Sequence, residues 1–266
     1  MNTLWLLHFV GTPLCVLWML HWVLPRENPA ALWGRQLRLC ATTPAGRKVL
    51  LGLAIVLGAN FAQSLSDPAF SAWLGYDLTS WVRSLEGDWI ESVQAWTPAW
   101  LRTPLGAWYV SGYVALILAT ALLLSEEQRP QALRGHLLGF AANYLYAIPF
   151  YLFVPVSEVA WSGHSQALAL IEAPFPGLTA QMRVGSALDN CFPSLHVSCA
   201  TSALWFARKS ALPRLPALAW VSWALVVWCV MALGIHWGCD VLAGVLLGLV
   251  CAWTGERWAA RGARAT

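Results

Sequence analysis

The feature that most constrains this chain is a series of uninterrupted apolar stretches, each close to the roughly 20 residues that carry a helix across a bilayer. Seven are read, at about 3–24, 49–65, 105–125, 135–157, 194–208, 217–235 and 238–255. Of the 266 residues 58% are apolar and 11% are charged, whereas soluble proteins average roughly 45–50% and about 25%. A soluble globule is thereby excluded. The expected fold is an all-α polytopic membrane bundle of about seven transmembrane helices, a single integral-membrane domain spanning 1–266. The first stretch carries its first Arg only after the apolar run, so it reads as a retained span and not as a cleaved leader. The stretch from Pro193 is short for a full crossing, so it starts below the surface or continues through the snorkelling pair Arg208 and Lys209.

The segment 66–104 differs in kind. Trp73, Trp81, Trp89, Trp96 and Trp100 recur there with acidic residues between them, a spacing that keeps the indoles near one side of a helix. The expectation is an interfacial helical segment at the outer surface, with an aromatic belt favoured over a lid or lipid-entry rim. Seven spans also divide the connections into two groups. One group, comprising 25–48, 126–134, 208–216 and the tail from Glu256, holds 13 of the 16 Lys and Arg. The other keeps Arg83, Arg102 and Arg183. The positive-inside rule makes the first group cytoplasmic and places the Trp-rich segment and the 158–193 loop outside.

A net charge of +3, dispersed in this way, offers no groove for nucleic acid. The seven cysteines, Cys15, Cys40, Cys191, Cys199, Cys229, Cys239 and Cys251, form no CxxC pair and no zinc spacing, so buried thiols and no metal are expected.

Two stretches place ionisable groups at the outer ends of apolar runs, where burying them without a use is expensive. They are FPSLHVS at 192–198 and GIHWGCDVLAG at 234–244. In the first, Pro193 and Ser194 read as a helix start, whose free N–H groups make an anion site within reach of His196. In the second, His236 and Asp240 are four apart, so on a continuous helix they share a face, and the carboxylate orients the imidazole. Two imidazoles, one carboxylate and a phosphate cradle suffice for nucleophilic phosphoryl transfer without metal or cofactor. The isolated His8, His21, His136 and His164 read as interfacial or packed residues.

The FPSLH run followed forty residues later by HWGCDVLAG resembles the second and third motifs of the type 2 phosphatidic acid phosphatase superfamily over about 105–255. The resemblance implies that His236 is the nucleophile forming a phosphohistidine, Asp240 assists it, His196 is the general acid and Ser194 helps hold the phosphate. It departs from the common pattern at Leu195, where Gly is usual, and at Val230, where Arg is usual. The first motif is not recognisable: Arg129-Pro130 falls on the cytoplasmic side and position 122 is Leu. These departures are similar to the Pro-Ser-Leu-His branch that includes inositol phosphorylceramide synthase. Arg183, in the same outer loop, is the substitute cation for the phosphate, and Tyr144 and Asn143, with Tyr151, are candidate substrate contacts.

The expected activity is a lipid phosphatase at the outer face of a membrane, by location a bacterial inner membrane with the site towards the periplasm or exterior. Its partners are then a lipid phosphate substrate and the bilayer. A phosphotransferase using an alcohol acceptor, and a non-catalytic lipid-phosphate binder, are the alternatives. The lipid and the oligomeric state stay open. If both imidazoles address one phosphorus, Cys191 and Cys239 converge, and two free thiols are favoured there over a disulfide.

Overall fold

In the computed structural model, which describes residues 3–182 and 189–264, the regular structure is all helical, with no named strand among the described residues. Ten helices carry the architecture: α1 (Thr3–Val23), α2 (Pro29–Thr42), α3 (Pro44–Leu74), α4 (Thr79–Glu86), α5 (Trp89–Trp96), α6 (Ala99–Glu126), α7 (Pro130–Phe153), α8 (Leu195–Ala207), α9 (Arg214–Ala232) and α10 (Gly238–Arg264). Several starts are written locally. Asn28 accepts from the N–H groups of Ala30 and Ala31 before Pro29, and Thr43 accepts from Gly46 before Pro44, side-chain caps with Pro at the first helical position. Gly75, at φ 70°, ends α3 in the left-handed conformation that glycine adopts without strain.

Each of the seven apolar stretches coincides with a helix. Five, Thr3–Val23, Pro44–Asp67, Ala99–Glu126, Arg214–Ala232 and Gly238–Arg261, are long and apolar enough to cross a membrane. Leu195–Ala207 is apolar but shorter, as expected, and α7 is long but carries His136, Asn143 and Tyr144 buried along its length. Two boundaries are corrected. The 135–157 stretch stops being helical at Phe153, because Val156 leaves the helix to pair with Asn190. The 66–104 segment begins as the end of α3, and the rest is α4, α5 and the first turns of α6. Gly87, at φ 57°, separates α4 from α5. All five tryptophans are exposed, but on four elements and not on one side of one helix.

The interior is built from α1, α6, α8 and α9, with Met19, Leu20, Leu116, Leu123, Ala203 and Leu215 in one buried cluster. Ile55, Val221 and Leu246 project outward from spanning helices and are exposed, the apolar exterior that lipid covers in a membrane protein. The most extensive helix pairing is α7 with α10, and α10 also packs against α8. Its contact faces are glycine: a Cβ on Gly255 would lie 2.3 Å from the carbonyl oxygen of Gly135, and one on Gly248 would lie 2.4 Å from that of Ser198. Small residues at such crossings let helix backbones touch, which is where membrane helices gain their packing energy.

Gly248→Ala should therefore destabilise the protein by about 1–3 kcal/mol, the usual cost of overpacking. Gly52→Ala, where a Cβ meets nothing within 4 Å, should be neutral or slightly stabilising through helix propensity. Thermal unfolding of the two variants in detergent compares them.

Candidate active site

Helix α8 starts as the sequence indicates. Ser194 is its N-cap, with its hydroxyl 3.5 Å from the N–H of Val197. His196 falls in the first turn. Its ring stacks on Tyr109, centroids 4.3 Å apart and planes 22° apart, and lies 4.3 Å from Tyr113. Both tyrosines come from α6, which makes one π-helical turn over Trp108–Gly112, a distortion common where helices carry function.

His236 reaches the same place by another route. Helix α9 ends at Ala232 and the chain turns at Gly234, at φ 76°. The N–H groups of Ile235 and His236 both donate to the carbonyl of Val230, at 3.1 and 3.0 Å. Only glycine fits this turn, since a Cβ on Gly234 would sit 2.5 Å from the carbonyl oxygen of Leu168. His236 thus lies in a non-helical stretch before α10 begins at Gly238. The expectation that His236 and Asp240 share a face of one continuous helix is corrected, because Gly234 and the bonds to Val230 break the chain there. The pair meets across the turn instead, with Nδ1 of His236 3.5 Å from Oδ2 of Asp240.

This turn is clamped from several sides. Trp237 is fully buried and donates through Nε1 to the carbonyl of Ser157 at 2.9 Å. Asp240 folds back to accept the N–H of Trp237 at 2.8 Å. Glu86, on α4, accepts the N–H of Gly238 at 2.7 Å and that of Cys239, a carboxylate placed on the positive end of α10. The neighbouring loop pairs alongside: Val159 and Ala160 donate to Ile235 and Gly234, and the N–H of Ser194 donates to the carbonyl of Asp240 at 3.0 Å.

Together these contacts bring the rings of His196 and His236 to a centroid separation of 6.2 Å. Both line a cavity of about 200 Å³ with Asn60, Ser64, Tyr109, Tyr113, Tyr144, Tyr151, Glu158, Asn190 and Leu195. That is below the volume that encloses a drug-sized ligand. Among the described residues, no Lys or Arg lines it. Tyr151 closes one wall by donating its hydroxyl to the carbonyl of Pro193 at 3.2 Å. On the far side of Pro193, a predominantly apolar groove of about 560 Å³ runs between α7 and α10, lined by Leu145, Tyr146, Phe150, Phe192, Leu246 and Val250.

Of the residues singled out from sequence, His196, His236 and Tyr144 line the cavity, and Tyr151 joins them. Asp240 is buried beneath His236. Ser194 is fully buried as the helix cap and is not among the lining residues. Asn143 faces elsewhere, donating to the carbonyl of Gly139 and accepting from the hydroxyl of Ser198. Arg183 lies outside the described residues. Sequence reasoning missed Tyr109, Tyr113, Asn60, Ser64, Glu158 and Asn190; the pairs Tyr109/Tyr113 and Asn60/Ser64 are polar residues four apart inside apolar runs, whereas the loop residues Glu158 and Asn190 carried no signal.

Cys191 and Cys239 are free thiols. The Sγ of Cys191 lies 3.2 Å from Nδ1 of His236 and 2.9 Å from Oδ2 of Asp240, so three potential metal donors meet where the spacing showed no metal cluster. Burial, and then the neighbouring Asp240, push this thiol well above the ordinary cysteine range, which keeps it protonated.

Residues 76–254 match the family model described as PAP2 superfamily. No curated protein and no solved structure matches the chain at a significant level.

Glu86→Ala should leave the first N–H groups of α10 without their acceptor, at a cost of about 1–2 kcal/mol. Because His236 is two residues from that helix start, turnover should fall as well. Thermal unfolding and activity, measured on the same preparation, check both.

Proposed function

Because this chain belongs to the PAP2 superfamily, we propose that it is a membrane lipid phosphatase that cleaves a lipid phosphate ester or pyrophosphate through a phosphohistidine. The observation that carries the reading is the meeting of His196 and His236 at one small polar cavity, with Asp240 against the second imidazole. Nδ1 of His236 faces Asp240 and Cys191, which leaves Nε2 as the atom to attack phosphorus. As the N–P bond forms, the bond to the leaving oxygen breaks and that oxygen takes a proton from His196. His196, now neutral, next accepts a proton from water as the water oxygen attacks the phosphohistidine. Free phosphate leaves, His236 is regenerated, and the proton on His196 is restored.

Phosphate oxygens are held by the start of α8, where unpaired N–H groups favour an anion, and by the hydroxyl of Tyr144. Ser194 then acts by capping that helix start. Arg183 supplies the cation that the described lining lacks, a clamp worth several kcal/mol in a phosphoryl transfer. The lipid's hydrocarbon lies along the α7–α10 groove, which the Tyr151–Pro193 contact separates from the cavity. The distribution of 13 of 16 basic residues on the opposite side favours the outer membrane face for this chemistry.

The direct experiment incubates purified protein with a panel of lipid phosphates, with and without alcohol acceptors, and reads free phosphate and transferred product by mass spectrometry. Phosphate release is expected. Predominant transfer to the alcohol would move the assignment to a phosphotransferase, and binding without turnover would make the chain a lipid-phosphate binder. His236→Ala should abolish turnover in a folded protein, and His196→Ala should lower it by about 100-fold or more. Turnover retained by His236→Ala would overturn the mechanism.

The groove has its own test. Leu246→Trp should raise KM for a long-chain lipid phosphate while leaving a short-chain, soluble phosphate ester nearly unaffected. Equal effects on both substrates would place the tails elsewhere.

A further inference from the structure

The Asp240–His236 pair is not directly hydrogen-bonded. Its closest approach, 3.5 Å, is longer than a nitrogen–oxygen hydrogen bond of 2.7–3.2 Å. Oδ2 of Asp240 is already engaged by two nearer donors, the N–H of Trp237 at 2.8 Å and the thiol of Cys191 at 2.9 Å. That same sulfur is 3.2 Å from Nδ1 of His236. Cys191 and Asp240 are fully buried and His236 nearly so.

We propose that Cys191 is a positioning residue through which Asp240 acts on His236, the Nδ1–H donating to Sγ and the S–H donating to the carboxylate. This rests on His236 being the nucleophile. The arrangement fixes the tautomer with its proton on Nδ1, leaving the Nε2 lone pair for phosphorus. When Nε2 takes the phosphoryl group, the ring becomes cationic, and the carboxylate charge reaches it through the polarised thiol. No proton changes owner in this chain and no bond to sulfur forms.

Cys191 is held in place for the task independently of the two groups it joins. Its N–H donates to the carbonyl of Val156 at 3.1 Å, and the N–H of Val156 donates to the carbonyl of Asp189 at 3.1 Å. The carbonyl of Ile235, 3.3 Å from Sγ, is the competing acceptor for the thiol proton, and the nearer, charged carboxylate is favoured. Cysteine, histidine and aspartate are also a set that zinc accepts. The N–H of Trp237 already donates to Oδ2 of Asp240 at 2.8 Å, and three protein donors are one short of the four that close a structural zinc site, which favours the hydrogen-bonded chain.

The test compares Cys191→Ser, which keeps a donor and acceptor, with Cys191→Val, which keeps the volume and removes both. Cys191→Ser should retain kcat within about 10-fold, whereas Cys191→Val should lose about 100-fold in kcat with KM little changed, the scale of a lost proton-handling group. Wild-type kcat in Cys191→Val, or an equal loss in both variants, would overturn the proposal in favour of packing alone. Stoichiometric zinc in the purified wild-type protein would overturn it in favour of a metal site. A measurement independent of any variant is the 15N shift of the His236 ring in the wild type: a proton on Nδ1 is expected, and one on Nε2 in the resting neutral ring contradicts the chain. Mapping the phosphoryl adduct to residue 236 in the wild type separates these outcomes from failure of the nucleophile assignment.

Discussion

The N–H of Ser194 donates to the carbonyl of Asp240 at 3.0 Å, and the geometry of the whole site follows from that backbone contact. It joins the start of α8, whose first turn carries His196, to the first turn of α10, which begins two residues after His236. A side chain on α10 would prevent it. A Cβ on Gly244 would lie 2.6 Å from the carbonyl oxygen of Ser194, and the same exclusion recurs one turn on at Gly248. The glycine face of α10 therefore sets the site's geometry as well as the packing, since separating the two helices by the width of a methyl group would pull His196 away from His236. A hydrogen bond of this kind is modest in net stability, but leaving it unmade in a buried site is costly.

The outer layer is mechanically part of this arrangement. Glu86 on α4 holds the start of α10, and Gln94 on α5 donates to the carbonyls of Leu168 and Ala232 beside the Gly234 turn. Ser165 and Gln166 donate to Glu91, and Arg83 pairs with that same carboxylate. The exposed tryptophans of this segment consequently sit on a scaffold braced against the turn that carries His236. From below, Asp67 near the end of α3 accepts from Asn190, which lines the cavity two residues after the undescribed stretch. Helix α3, which the family resemblance did not reach, thus contributes both lining residues and the carboxylate that holds Asn190, next to Cys191.

Much of this is readable in the chain because the physics is local. A run of about 20 apolar residues has one solution in a bilayer, and all seven became helices. Pro193 and Ser194 announced a helix start, and His196 and His236 were identifiable as groups too expensive to bury idly. The non-helical setting of His236 was less legible, although Gly234 after an apolar run is a usual sign of a helix ending. Tyr109, Tyr113, Asn60 and Ser64 were hidden, because a hydroxyl or amide within an apolar span looks the same whether it faces lipid, core or cavity. The place of Cys191 was illegible for a stronger reason: its contacts to His236 and Asp240 span 45 and 49 positions, and nothing in its own neighbourhood encodes them.

The phosphohistidine is tested most directly by the stereochemistry at phosphorus. A lipid phosphorothioate made chiral with oxygen isotopes, and hydrolysed in water carrying a third isotope, records the number of displacements in the product. Each in-line displacement inverts the centre, so attack by His236 followed by attack of water gives net retention. Net inversion would mean that water strikes the lipid phosphate in a single step, and would contradict a covalent intermediate on His236.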